Sequence, residues 1–279
     1  MVDRPCTQKE ARQLRDALVA GLPLEGHLAR VWTDVLTTYQ LEVLHLEELC
    51  GELPGVMDST SRVKTRATLA EKLIRLPGQQ LLNVDDIGGC RFITSDVVTQ
   101  DTLVAALVEL LTGHGYEIRS KDRRWHDTPP GPSHGYRAVH LIARRGWFRC
   151  ELQVRTSLQH RWAELFESMC DAWGRGPRYG EPVTNPTEKV SLDGSVDRKE
   201  LVSLMRETSD ECQTNEAMQL RLAAVEDRLS LLGEQALPDD KQLREAMAQW
   251  RSLQRVHLES LQRTLDLIAS VWAGEEDPR

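Results

Sequence analysis

The sequence predicts a protein of the α/β (α+β) class, built round one sheet and followed by a helical extension. Three observations carry this. Along the chain the patterns run helices first, then strands and helices mixed, with a hairpin near the end of that part. A Gly- and Pro-rich stretch at 174–194 then breaks the pattern, and the chain beyond it is helical and acidic. The 279 residues are 40% hydrophobic and 28% charged, which suits a chain with a sizeable core and one or two domains.

The first elements are helical. Residues 7–52 read as helix, because Leu14, Leu18, Leu28, Val31, Trp32, Val35 and Leu36 recur at three- and four-residue spacing, with a break at Gly21-Leu22-Pro23. Leu53 to Ser61 reads as a loop around Pro54-Gly55. Thr65 to Leu76 is a short helix ended by Pro77-Gly78. Gly89 to Thr94 is a candidate strand, Val97 to Leu111 a helix closed by Gly113, and Tyr116 to Arg119 a short strand. Residues 123–135, RRWHDTPPGPSHG, are expected to form a mobile loop. Arg137 to Ala143 and Phe148 to Val154 are strands joined by the turn Arg144-Arg145-Gly146, and Thr156 to Trp173 is a helix. Beyond the break, helices are expected over about 198–232 and 241–272, interrupted at Gly233 and Pro238. In the last helix Met247, Trp250, Leu253, Leu261, Leu265, Ile268 and Trp272 form an apolar stripe. It is either packed in a hairpin on the domain or offered to an oligomer or partner. The domains expected are 1–183 and an acidic helical extension, 184–279.

Composition excludes several classes. No apolar run is long enough to span a membrane, and the N-terminus has no apolar signal-peptide region, so a cytoplasmic protein without a membrane partner is expected. Cys6, Cys50, Cys90, Cys150, Cys170 and Cys212 lack metal-site spacing and read as buried or reduced thiols. The net charge of −8 argues against a general nucleic-acid binder. It is uneven, however: residues 62–75 hold five basic side chains against one acidic, and 118–161 hold ten against three. Such islands are either solvated faces or the lining of a cleft for an anionic substrate.

Four segments carry chemistry. In the first, Arg62 and Lys64 precede a helix on which Thr68 and Lys72 lie one turn apart. Cations, a hydroxyl and free N–H groups converging there suit a polyphosphate, with a basic surface helix as the alternative. No GxxxxGK[ST] motif is present, so this is not a P-loop. In the second, Asp85-Asp86-Ile87-Gly88-Gly89-Cys90-Arg91 sets an acidic pair and two glycines before a strand. The pair can hold a hard cation while the backbone approaches a ligand, or it can cap a turn. In the third, Gly135-Tyr136-Arg137-Ala138-Val139-His140 read as a strand puts Tyr136, Ala138 and His140 on one face, where a flat ring suits stacking on a base, with a half-buried Tyr and a satisfied core His as the alternative. In the fourth, Glu151, Gln153 and Arg155 share a strand face opposite Leu152 and Val154. Three polar groups in a row are costly to bury unless they bind something, and Glu151 offers a metal carboxylate or a base, with a strand exposed on one side as the alternative.

In this order and spacing, with Trp162-Ala163-Glu164 behind them, the four segments closely resemble the synthetase domain of the RelA/SpoT family, over roughly residues 25–175. The resemblance implies a mixed β-sheet flanked by helices, nucleotidyltransferase-like, and a GTP pyrophosphokinase-type activity. In that activity the β,γ-pyrophosphoryl group of ATP passes to a ribose 3′-OH, usually that of GDP or GTP, giving the alarmone (p)ppGpp. By position, Arg62 and Arg91 would sandwich the adenine, and Lys64, Thr68 and Lys72 would hold the phosphates. Asp86 and Glu151 would bind Mg2+, with Glu151 also placed to take the 3′-OH proton. Tyr136 would stack on the acceptor base, while His140, Gln153 and Arg155 line the site.

The sequence departs from the family pattern on the acceptor side. Pro132 stands where many alarmone synthetases carry Lys, and Ala138 where Ser is usual. His160 stands where small synthetases carry an Asn or Asp that helps read guanine. Leu158-Gln159-His160 and Tyr136-Arg137-Ala138 resemble the toxic small synthetases of toxin–antitoxin systems, some of which modify the tRNA 3′ CCA end or make adenosine alarmones. A tRNA acceptor would need a basic surface, for which Arg123, Arg124, Arg144, Arg145 and Arg149 are the candidates. The extension would then serve a homo-oligomer or an antitoxin. About 60 residues precede Arg62, too few for the family's hydrolase domain, so degradation is not expected. A non-catalytic interaction module is the reading of a different class; Asp86, Glu151 and the ATP-side cations, kept as a set, argue against it.

Overall fold

The computed structural model describes residues 3–125, 134–191, 194–232 and 240–276. Helix α1 (Gln8–Val19) starts at Thr7, whose hydroxyl accepts from the Glu10 N–H at 3.3 Å while the Glu10 carboxylate accepts the Thr7 N–H at 2.8 Å. Helix α2 (Gly26–Gly51) buries Val31, Val35, Tyr39, Val43, Leu46 and Cys50 along one stripe. Strand β1 (Asp58–Val63) comes next, and helix α3 (Arg66–Arg75) is capped by Thr65. Strand β2 (Gly88–Thr94), helix α4 (Val97–Gly113), strand β3 (Glu117–Asp122), strand β4 (Val139–Arg145), strand β5 (Phe148–Thr156) and helix α5 (Ser157–Trp173) follow. After a 3-10 turn at Gly176–Tyr179, helix α6 (Arg198–Leu232) and helix α7 (Asp240–Glu276) complete the order.

The five strands form one sheet in the order β1-β2-β5-β4-β3. β1–β2 and β4–β5 pair antiparallel. β2 and β5 run parallel, since Gly89 lies against the Glu151 carbonyl and, further along both strands, Thr94 Oγ1 donates to the Arg155 carbonyl. The sheet is therefore mixed, as expected. Alternation sorts its faces: Cys90, Phe92, Leu141, Ala143, Cys150, Leu152 and Val154 join a core with Tyr39 and Val43 of α2 and Leu103 and Leu107 of α4. The opposite face carries the polar residues of β1, β2, β4 and β5.

Two sequence expectations are corrected. The segment before Val63 was expected to be a loop to Ser61, yet Asp58–Val63 is an edge strand. It has almost no apolar residue to announce it, and is recruited by register with β2, Asp58 opposite Ile93 and Arg62 opposite Gly89. The strand expected from Arg137 begins at Val139, so Tyr136 does not share a strand face with His140. The loop expected over 123–135 falls at 126–133, with Pro132, outside the described residues, as does the interruption at Gly233 and Pro238.

Chain contacts define two compact units. One comprises Met1–Thr94, Gln100–Lys121 and Val139–Arg155, and the other Ser95–Thr99, Asp122–Ala138 and Thr156–Arg279. The second has its own core, in which Trp162, Phe166, Met169 and Trp173 of α5 meet Leu201, Met205 and Cys212 of α6 and Leu261, Leu265, Ile268 and Trp272 of α7. The C-terminal half of the α7 stripe is thus core, whereas Trp250 and Leu253 are exposed. All six cysteines are free and buried. No helix of the described residues is long and apolar enough to cross a membrane.

Candidate active site

The polar sheet face of the first unit carries a cavity of about 230 Å³. Arg62, Lys64, Asp86, Arg91, Glu151 and Gln153 line it, together with Thr60, Ser61, Ile87, Gly89 and Cys90. Local structure explains the placement. In the β1–β2 register Thr60 faces Arg91 and Arg62 faces Gly89, so two guanidinium groups project from adjacent strands on one side. Lys64 is fixed by its backbone N–H, which donates to the Ile87 carbonyl at 2.8 Å. Gly88 turns toward the core instead: a Cβ there would stand 2.5 Å from Val43 Cγ1, so this glycine is needed by α2 and not by a ligand. Gly89 is the one on the cavity side.

Asp86 is the electrostatic centre. Its Oδ2 meets Lys72 Nζ at 2.7 Å and Lys64 Nζ at 3.3 Å. Its Oδ1 is buried and has no hydrogen-bond partner among the described residues. Thr68 is placed differently from its neighbours. Its hydroxyl donates to the Thr65 carbonyl at 3.0 Å and its N–H donates to Thr65 Oγ1 at 3.3 Å, so it serves the cap of α3.

Glu151 heads a ladder on β5. Gln153 Nε2 donates to Glu151 Oε2 at 2.9 Å, and Arg155 Nη2 donates to Gln153 Oε1 at 2.9 Å. His140 Nδ1 lies 2.9 Å from Glu151 Oε1, across the β4–β5 pairing that sets His140 opposite Gln153. Burial pushes the Glu151 carboxyl up, but His140, Gln153 and Lys72 outweigh it and hold the group well below the usual carboxylate range. Such a carboxylate is a fixed negative charge on the cavity wall.

The first unit therefore brings together Arg62, Lys64, Lys72, Asp86, Arg91, His140, Glu151, Gln153 and Arg155. Tyr136 and His160 belong to the second unit. There Tyr136 lines a separate cavity of about 320 Å³ with Arg123, His134, Trp162, Phe166 and Tyr179. His160 Nε2 meets Glu164 Oε2 at 3.3 Å.

A further cluster escaped the sequence reading. Asp85 meets Arg119 at 2.7 Å, Arg149 at 3.3 Å and Lys121 at 4.0 Å. The signal was available in the alternation Glu117-Ile118-Arg119-Ser120-Lys121, had Asp85 been separated from Asp86. Of the five arginines considered for a tRNA surface, Arg144 is exposed, and Arg124, Arg145 and Arg149 are engaged in ion pairs. Arg124 is buried on Asp122, Arg145 meets Glu42 and stacks on Tyr116, and Arg149 is tied to Asp85.

Among the described residues no group of three or more His, Cys, Asp or Glu could hold a metal ion. Two carboxylates on one cavity nevertheless fit Mg2+, which keeps several waters and takes its remaining ligands from substrate phosphates. The unpartnered Asp86 Oδ1 is the buried acceptor that a cation would satisfy.

Residues 61–170 match the family described as "Region found in RelA / SpoT proteins". An uncharacterized protein of Mycobacterium tuberculosis strain H37Rv is 34% identical over 178 residues, which cover 63% of this chain and 62% of that protein. An uncharacterized protein of Mycobacterium bovis matches to the same extent. The chain thus spans less than two thirds of the length of these relatives. Among solved structures, the small alarmone synthetase 2 from Bacillus subtilis is similar at 21% identity and a TM-score of 0.48, covering 69% of this chain and 98% of that one. The small alarmone synthetase 1 from Bacillus subtilis is similar at 18% identity and a TM-score of 0.48, covering 71% and 97%.

Proposed function

From the premise that residues 61–170 are a RelA/SpoT-family region, we propose that the chain is an ATP:nucleotide 3′-pyrophosphokinase. The acceptor 3′-oxygen forms a bond to the β-phosphorus of ATP, the bond from that phosphorus to the α,β-bridging oxygen breaks, and AMP and one proton are released. GDP and GTP are the proposed acceptors. The observation that carries the reading is that Asp86 and Glu151, far apart in sequence, line one cavity with Arg62, Lys64 and Arg91.

Each side chain has work in such a transfer. Arg62 and Arg91 offer flat cations from adjacent strands for a purine ring to lie against. Lys64 and Lys72 bring two positive charges to Asp86 and to a triphosphate beside it. His140 and Gln153 fix the rotamer and ionisation of Glu151. Asp86 and Glu151 would hold Mg2+, which when bound neutralises charge on the transferring phosphates. Phosphoryl-type transfer is mostly positioning and electrostatic stabilisation, and a cation-lined cavity with two carboxylates suits it. Tyr136, on its aromatic cavity, is the proposed stacking residue for the acceptor base.

The test is the full chain with ATP labelled in its β- and γ-phosphates, Mg2+ or EDTA, and GDP, GTP, ADP or tRNA as acceptors. Label on GDP or GTP that EDTA abolishes is expected. Label on tRNA or ADP alone would replace the acceptor, and no transfer to any of the four would overturn the reading.

A further inference from the structure

Arg137 is a cation 2% exposed, and α6 holds it. Its Nε donates to the Ser209 carbonyl at 3.0 Å and to Ser209 Oγ at 2.8 Å, and its Nη2 meets Asp210 Oδ1 at 2.9 Å. Ser209 Oγ in turn donates to the Gly135 carbonyl at 2.5 Å. One buried hydroxyl therefore ties the chain on both sides of Tyr136. The backbone is also pressed onto α5: Gly135 has a φ of 98°, and a Cβ there would stand 2.5 Å from the Trp162 ring. That indole is anchored to α6 as well, since its Nε1 donates to the Met205 carbonyl at 2.6 Å.

Burial lowers the Arg137 pKa even against the opposing pull of Asp210 and Glu216, so a desolvation cost is being offset by these contacts. Apolar packing of α6 is already supplied by Leu201, Met205 and Cys212. The polar set at Ser209 and Asp210 adds direction to that packing. Helix α6 lies beyond residues 61–170, whereas the segment it grips lies within them.

We propose that Ser209 and Asp210 are positioning residues, which hold Gly135 and Arg137, fix Tyr136 between them on the wall of the aromatic cavity, and so make the helical extension a determinant of acceptor affinity. The consequence for affinity rests on the pyrophosphokinase reading; the grip itself does not.

The test compares the full-length wild type with Ser209→Ala, Asp210→Ala and Asp210→Asn. Amide hydrogen exchange is followed at 134–140, with 86–94 as the internal control, and KM is measured separately for acceptor and for ATP. Removing a charge-assisted hydrogen bond should speed local opening at 134–140 by about tenfold or more. The acceptor KM should rise several-fold while exchange at 86–94 and the ATP KM stay near wild type. Asp210→Asn keeps the accepting oxygen and should fall between wild type and Asp210→Ala. Unchanged exchange at 134–140 in both alanine variants would overturn the proposal, and so would faster exchange with an unchanged acceptor KM. If Ser209→Ala loosens the whole chain, Asp210→Ala decides, because that carboxylate is 59% exposed and its removal opens no cavity in the core. A wild type that transfers to no acceptor refutes the pyrophosphokinase reading, and exchange at 134–140 then judges the grip by itself.

Discussion

Lys72 reaches Asp86 Oδ2 at 2.7 Å, while Oδ1 of the same carboxylate is buried with no hydrogen-bond partner among the described residues. A carboxylate with one oxygen held by two lysines and the other without a partner among the described residues is poised for a third cation. Asp86→Asn keeps the shape and removes the charge. The transfer rate at saturating ATP and Mg2+ should fall by about 100-fold or more, in the range for loss of one preorganised electrostatic contact. Labelled-ATP assays over a Mg2+ series check this, and a rate within threefold of wild type would remove Asp86 from the proposed metal site.

Glu151 sets an acid limit on stability. Its folded pKa is depressed by His140, Gln153 and Lys72, so its contribution is fully present above the unfolded value of about 4.3 and is lost as pH falls toward the folded one. Wild type should therefore lose melting temperature below about pH 4.3 more steeply than Glu151→Gln, in which this group no longer titrates. Thermal unfolding of both proteins between pH 3 and 7 reads the difference; parallel curves would show that the carboxylate is not held ionised.

Glu216 carries the opposite sign. Desolvation raises its pKa against the hydroxyl of Thr156 and the amide of Gln159, which donate to it at 2.7 and 2.8 Å. A raised carboxyl favours folding below its unfolded pKa and loses that stability as pH rises through the folded value. Glu216→Gln should therefore melt above wild type at pH 8, with the gap closing toward pH 4.5, near the ordinary carboxylate value. A constant gap across that range would mean packing, and not titration, separates the two proteins.

Parts of the sheet and of the candidate cavity's lining were legible in the sequence. Alternation placed Glu151, Gln153 and Arg155 opposite Leu152 and Val154, and the structure has them so. Asp86 and Glu151 were paired by resemblance alone, since only the parallel β2–β5 contact brings strands 60 residues apart side by side. Strand β1 was illegible because a polar edge strand has no apolar period of its own. The role of Arg137 was hidden for a related reason: its partners, Ser209 and Asp210, lie 72 and 73 residues away on a helix whose pattern reads only as amphipathic.

The apolar stripe of the last helix was read as either packed on the domain or offered to a partner, and its C-terminal half is packed in a core with α5 and α6. Leu265 is fully buried among Trp162, Phe166, Met205 and Ile268 in a core that takes residues from α5, α6 and α7. Leu265→Ala should cost about 2–5 kcal/mol by lost transfer energy and cavity formation. Removing everything after Val183 would uncover Trp162, Phe166, Met169 and Trp173 together, a contiguous apolar surface that water does not tolerate. The truncated chain should melt without a cooperative transition and sediment as aggregates. A cooperative monomer that keeps the transfer rate would instead make the extension an accessory, and would also remove the proposed dependence of Tyr136 on α6.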